Sequence, residues 1–243
     1  MDYSFLQCGE GALTVHLGDG IDPAINRRVT ALQGAIDSAG LRGITDLIPA
    51  YADLTVCYDC TVISAKALQR QLRRLLDSLS VAGQDRRRVF RLPVCYGGDY
   101  GPDLDFVCHH SGLSAQEVIE LHSAPDYLIY MLGFLPGFAY LGGLDPRLHT
   151  PRLDSPRTCI PAGSVGIGGA QTGVYPLASP GGWQLLGRTP VSVFDRQRQE
   201  PILYRAGDLV HFVPISPAEY EKIARAVAAG TYTVQVEEVP VCD

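Results

Sequence analysis

Apolar residues along this chain follow two different rhythms, and the change of rhythm divides it into halves. In the first half the period moves between two residues and about 3.6, the marks of strands and of amphipathic helices. Ala12 to Leu17 alternates as a strand does. Asp22-Pro23 supplies an N-cap and a first-turn proline, and the helix they open carries Ile25, Val29, Leu32 and Ile36 on one face and closes at Gly40. Ile44 to Ile48 and Leu54 to Tyr58 predict a pair of strands around Pro49-Ala50-Tyr51. Ser64 caps a second helix bearing Leu68, Leu72, Leu75, Leu76 and Leu79, and Val89 to Val94 reads as a strand. The order β-α-β-β-α-β predicts a ferredoxin-like layer of two helices on an antiparallel sheet.

The second half begins with a short helix, opened by the capping box Ser114-Ala115-Gln116-Glu117 and ending near His122. From Tyr127 onward the apolar runs are short and separated by Gly and Pro. Tyr127 to Leu132, Ser164 to Ile167, Trp183 to Leu186, Val191 to Phe194 and Leu209 to Val213 are the predicted strands of a barrel or sandwich. A second capping box, Ser216 to Glu219, opens a helix that runs to about Ala228 and stops at Gly230; a last strand follows from Tyr232 to Val239. The fold class is therefore α+β. The boundary falls in the stretch Cys95 to Gly101, giving expected domains of 1–95 and 96–243.

Composition narrows the function classes. With 46% hydrophobic and 19% charged residues, the 243-residue chain buries enough apolar surface to fold. Its net charge of −6 argues against a nucleic-acid binder. The one dense basic run, Arg86-Arg87-Arg88 with Arg91, has no interleaved aromatics and is expected to be a solvated edge at the domain junction. Met1-Asp2-Tyr3 begins neither a basic nor an apolar leader region, and no apolar stretch reaches membrane-spanning length. Seven scattered cysteines, an odd number, are expected to be reduced and mostly buried in a cytoplasmic protein.

The chemistry is concentrated between Gly133 and Pro190, in GFLPGFAYLGGLDPRLHTPR and IPAGSVGIGGAQTGVYPLASPGGWQLLGRTP. Glycine weakens strands, so its density here calls for positive φ angles or a close approach to the main chain. Turns at Pro136-Gly137, Pro161-Ala162-Gly163, Gly168-Gly169 and Pro180-Gly181-Gly182 present backbone N–H groups that suit an anion, or else form tight barrel corners.

These words, with PVCYGGDYGPDLDFV upstream, resemble the family of the 5-oxoprolinase B subunit, which includes the kinase-A inhibitor protein and the first subunit of allophanate hydrolase. The resemblance is strong over roughly residues 90 to 215. It implies a ferredoxin-like N-terminal domain and a cyclophilin-like β-barrel C-terminal domain. It also implies two partners, the C subunit of 5-oxoprolinase, with a related barrel, and the A subunit. The implied activity is ATP-driven opening of 5-oxoproline to L-glutamate by the assembled complex, the chain alone being inactive. Phosphorylating the lactam oxygen would remove the amide resonance that protects the ring, a step that needs charge stabilisation more than covalent catalysis. There is no GxxxxGK[ST] loop, and neither Lys66 nor Lys222 follows a glycine loop, so ATP is expected at a site shared with the partners. Two other readings stay open: an inhibitor that binds a sensor histidine kinase, and a carboxyltransferase-like component of the allophanate hydrolase or urea carboxylase type. No lysine adjoins Met1 or Met131, so the chain is not expected to carry biotin.

Gln171 and Thr172, between glycines, are candidates to orient an amide or a phosphate, and Ser164 is a similar one. Arg188 is the anion-binding candidate, or else the partner of Asp145 or Asp154. His122 is a candidate base, or a histidine that caps its helix. Phe134, Phe138, Tyr140 and Tyr175 line a pocket or pack a core, and Trp183 walls the site or the partner surface. No His/Cys/Asp/Glu cluster has metal-ligand spacing, so no metal is expected.

Overall fold

The computed structural model describes residues 3–79, 86–133 and 135–240. It separates into two compact units, Met1–Asp85 and Arg86–Asp243. The architecture is mixed α/β.

The first unit is a four-stranded antiparallel sheet with two helices. Its strands are β1 (Ser4–Cys8), β2 (Ala12–His16), β3 (Ile44–Pro49) and β4 (Asp53–Tyr58), in the order β1-β2-β4-β3. The helices are α1 (Pro23–Ala39) and α2 (Ala65–Asp77). Their ends form where the capping residues predict. Asp22 Oδ1 accepts from Ala24 N at 2.6 Å, Ser64 Oγ accepts from Ala67 N at 3.3 Å, and Gly40 closes α1 at φ 54°. Leu13, Val15, Leu54 and Val56 from the sheet bury against Val29, Leu32, Ile36, Leu68, Leu72 and Leu76 from the helices.

The ferredoxin-like connectivity is not what forms. The fourth strand of this sheet is β1, folded back on β2 by the turn at Gly9 to Gly11, so the order is β-β-α-β-β-α. The strand expected to complete it is β5 (Arg86–Tyr96), which belongs to the second unit. There it pairs in parallel with β13 (Leu209–Pro214) and antiparallel with β14 (Gln235–Pro240). Its backbone hydrogen bonds are thus taken up by strands more than a hundred residues later, and no local pattern reveals that partnership.

The second unit is a barrel. Its further strands are β6 (Asp126–Leu132), β7 (Ala139–Gly142), β8 (Arg157–Ile160), β9 (Ser164–Gly168), β10 (Gln171–Val174), β11 (Ser179–Gly181) and β12 (Gln184–Arg188). The order β12-β9-β10-β7-β6-β13-β5 is closed by pairing of Gly187 and Arg188 with Tyr96 and Cys95, and β14 extends β5 beyond the ring. Val165, Ile167, Val174, Leu186, Ile129, Val210 and Phe212 fill the interior. Helices α3 (Leu104–Ser111) and α4 (Ala115–Ser123) add Leu104, Val107 and Val118 to that core, and α5 (Pro217–Ala228) packs on β5. The strand expected at Val191 to Phe194 reduces to a single bridge between Phe194 and Ile202.

The basic run has a structural employment. On β5, Arg88 makes two hydrogen bonds to the Asp208 carboxylate at 3.0 and 2.6 Å, and Arg91 makes two to Glu237 at 2.8 and 2.9 Å. Arg86 lies 3.5 Å from Glu238. The run is the basic side of a cross-strand charge ladder rather than a free edge. The thiols also differ from expectation: of the described cysteines, Cys95 is buried while Cys8, Cys60 and Cys159 are exposed.

Candidate functional site

Strand alternation sends every second side chain to the outside of the barrel. Next to β7, β10 and β12, three aromatic residues gather apart from the barrel core. Phe138, Tyr175 and Trp183 are 2%, 2% and 5% exposed and form, with Ile160 and Leu185, a cluster separate from the barrel core. Phe138 meets Trp183 edge-on at a centroid distance of 5.5 Å, and Tyr175 edge-on at 5.4 Å. Tyr140 tilts against Phe138 at 5.2 Å. Such T-shaped contacts fix ring orientation beyond what burial alone does.

The aromatic cluster floors a cleft of about 210 Å³, lined by Phe138, Tyr140, Tyr175, Trp183, Gly181 and Gly182 together with Arg152, Leu153 and Pro156. Six sequence-derived candidates therefore converge on one concave surface. The glycine density gains a physical account here. A Cβ at Gly168 would run into the Trp183 indole; one at Gly173 would lie 3.2 Å from the same ring; one at Gly181 would lie 2.6 Å from the Tyr175 hydroxyl. These glycines keep β9, β10 and β11 bare so that large rings pack directly against them. Positive φ is needed at fewer positions, among them Gly137 (83°) and Gly169 (66°).

The other candidates lie elsewhere. His122 is inside the barrel unit with no exposed surface, stacked on Phe212 at 4.8 Å. Its Nδ1 is 2.8 Å from the Tyr96 hydroxyl and its Nε2 is 2.7 Å from Thr172 Oγ1. Thr172 Oγ1 donates its own proton to Gly166 O at 3.1 Å, so it accepts from Nε2–H, and Nδ1 accepts from Tyr96. Burial lowers the His122 pKa to about 3, which keeps the ring neutral. This ring is a fully partnered core group that joins α4 to β10 and to the end of β5.

Ser164 and Arg188 face each other across β9 and β12. Ser164 Oγ and Arg188 Nε are buried and, among the described residues, have no hydrogen-bond partner. The Arg188 guanidinium reaches the Tyr220 hydroxyl on α5, whereas Asp145 pairs with Arg147 at 2.7 Å. Gln171 is half-buried at the start of β10. Pro136 and Gly137 line a separate groove of about 290 Å³ with Leu132, Leu135 and Ile202. Phe134 lies outside the described residues.

Arg152, Leu153, Pro156 and Arg157 were not among the sequence candidates. Arg157 donates to Asp103 Oδ1 at 2.7 Å and to the Trp183 carbonyl at 3.4 Å, which ties the start of β8 to the aromatic wall. The available signal was the doubled Pro-Arg in TPRLDSPR, two guanidinium groups on a loop that opens into a strand. Among the described residues no group of three or more His, Cys, Asp or Glu side chains is placed to hold a metal. No described helix is long and apolar enough to cross a membrane.

Comparison with known proteins adds four findings. Residues 3–204 match the family model described as carboxyltransferase domain, subdomain C and D. The chain is 42% identical over 228 residues to a Bacillus subtilis protein named as the B subunit of 5-oxoprolinase, covering 90% of this chain and 95% of that one. Among solved structures, TTHA0988 is 40% identical with a TM-score of 0.75; the match covers 84% of this chain and 40% of that one, so this chain spans well under half of that protein. The Kluyveromyces lactis urea amidolyase, at 23% identity, shares the fold over 98% of this chain and 16% of its own, with a TM-score of 0.82.

Proposed function

Because this chain belongs to the carboxyltransferase subdomain C and D family, and within it to the group of 5-oxoprolinase B subunits, we propose that it is the B subunit of an ATP-dependent 5-oxoprolinase. It acts in a complex with a C subunit of related barrel fold and an A subunit, and converts 5-oxoproline to L-glutamate. The observation that carries this reading is the alignment of near full length on both sides with relatives of that name.

The chemistry follows from the stability of the lactam. Transfer of the γ-phosphoryl group of ATP to the lactam oxygen releases ADP and leaves an imidate carbon without amide resonance. Water adds to that carbon, the ring C–N bond breaks with the nitrogen taking up a proton, and an acyl phosphate results. A second water then releases phosphate and L-glutamate. The protein's task is to position a small ring and to stabilise charge on its oxygen.

The aromatic cleft suits the first part of that task. Phe138, Tyr140, Tyr175 and Trp183 supply an apolar aromatic wall, and Gly181 and Gly182 let a ligand approach the main chain. Ser164 and Arg188, Cα partners on neighbouring strands, are the anion-contact candidates, each with a buried polar atom that has no hydrogen-bond partner among the described residues. Gln171 stands at the edge of β10 and contributes a polar contact, while Thr172 and His122 act by holding that strand. At about 210 Å³ the cleft falls below the roughly 300–1,000 Å³ of sites that enclose drug-sized ligands. It therefore does not suit a nucleoside triphosphate, and ATP is bound mainly by the partner subunits. The cyclophilin-like description of the barrel, and a location in the cytoplasm, belong to this same reading.

The test is reconstitution. ADP and glutamate are measured with this chain, the C subunit and the A subunit, singly and together, in the presence of 5-oxoproline. Product that forms only in the full mixture is the expected result. Stable assembly without 5-oxoproline-dependent ADP release would overturn the substrate assignment.

A further inference from the structure

The aromatic cleft carries one charged group that the protein itself leaves uncommitted. Arg157, tied to the cleft wall through the Trp183 carbonyl, is bound to Asp103 at 2.7 Å. Arg152 is exposed and, among the described residues, forms no ion pair. Its guanidinium stands 5.9 Å from the centre of the Trp183 ring, at the lip of the cleft. Stacking against an aromatic face holds a guanidinium in place while its N–H groups remain free to donate.

Two further properties of the cleft narrow the ligand. Its floor is a set of ring faces and edges, which takes a compact, largely apolar ring. Its volume of about 210 Å³ admits a ligand smaller than the drug-sized molecules that fill larger clefts. An apolar floor with one fixed guanidinium at its edge recognises a small ring that bears a carboxylate, since a planar fork pairs with that group through two N–H donors. We infer that Arg152 is the specificity-determining residue of this cleft, anchoring the carboxylate of a small cyclic acid whose ring lies against the aromatic wall of the cleft.

The inference rests on the oxoprolinase reading for the identity of the ring, a five-membered lactam, but not for the anion chemistry. The two therefore fail separately. The protein provides its own probe, since Trp183 is its single tryptophan. Emission of the full chain is titrated with 5-oxoproline and with 2-pyrrolidinone, the same lactam without the carboxylate. The expected result is a saturable change with the acid at concentrations roughly tenfold or more below those needed for the neutral lactam, the scale of one charge-assisted pair. Arg152→Gln is expected to weaken the acid by that factor and leave the neutral lactam unmoved, and Arg152→Lys to recover part of the loss. In the assembled complex Arg152→Gln is expected to raise KM for 5-oxoproline with little change in kcat.

Equal responses to acid and neutral lactam, or an Arg152→Gln variant that shifts both alike, would overturn the assignment of the anchor. So would silent emission together with an unchanged KM in the complex. Acid-selective, Arg152-dependent binding in a complex that turns over no 5-oxoproline would support the anchor and sink the oxoprolinase reading. Turnover with a KM indifferent to Arg152→Gln would do the reverse.

Discussion

His122 and Thr172, fifty residues apart in sequence, share a 2.7 Å hydrogen bond in the interior of the barrel unit. The bond joins a helix to a strand and leaves the imidazole with both nitrogens engaged, the second by Tyr96. A histidine in this setting is a structural group whose stability contribution depends on remaining uncharged.

That dependence has a definite sign. The pKa of His122 is lowered by burial from the unfolded value of about 6.5 to about 3. Between those values the unfolded chain binds a proton that the folded chain refuses, so stability falls as pH falls. The contribution is fully present above about pH 6.5 and is lost progressively toward pH 3, at up to about 1.4 kcal/mol per pH unit. Urea unfolding between pH 7.5 and 5 should show this slope. His122→Gln, which does not titrate, should be less stable by about 2–4 kcal/mol at pH 7.5 and should show a correspondingly flatter profile. An unchanged slope in the variant would assign the pH dependence to other groups.

Gly168→Ala tests the packing of the cleft wall. The added methyl would occupy the position of the Trp183 indole, so the ring must move outward. A loss of about 1–3 kcal/mol is expected from overpacking, with a red-shifted emission maximum from the displaced tryptophan. The same substitution at Gly98, where a Cβ would meet nothing within 4 Å, has no ring to displace; φ there is 53°, so it costs backbone strain alone and leaves the emission maximum in place.

Asp103 holds two walls together. Its Oδ1 accepts from Arg157 at 2.7 Å and its Oδ2 accepts from Leu185 N at 2.6 Å on β12. Asp103→Asn keeps the shape and one acceptor but removes the charge. Because Arg157 is about a third exposed, solvent screens the pair. A stability loss of about 1–2 kcal/mol is expected, with broader and more solvent-sensitive Trp183 emission. A variant as stable as the parent, with identical emission, would show that the pair does not hold the cleft.

Much of the local structure was legible from the chain. Asp22-Pro23, Ser64, Ser114 with Glu117, and Ser216 with Glu219 marked helix starts that the structure reproduces, because a capped N-terminus is satisfied by residues within one turn of it. The aromatic and glycine residues of the cleft were also picked out by type. Their reason was only half seen: Gly168, Gly173 and Gly181 make room for the protein's own rings.

What escaped was whatever depended on distant partners. Val89 to Val94 is a strand by any local measure, yet its register with Leu209–Pro214 and Gln235–Pro240 placed it in the barrel rather than beside β2, where β1 lies instead. His122 read as a candidate base or as a histidine capping its helix, and only the arrival of Thr172, Tyr96 and Phe212 around it made it a neutral core residue. Arg152 and Arg157 are indistinguishable by type and each follows a proline. One is bound by Asp103, 54 positions away, and the other stands over Trp183. Propensity, capping and side-chain alternation act over a few residues, so the amino-acid order settles them alone. Strand partnership, burial and the pairing of charges are properties of groups brought together by folding, and the tertiary structure decides them because a free energy of contact exists only once both partners are in place.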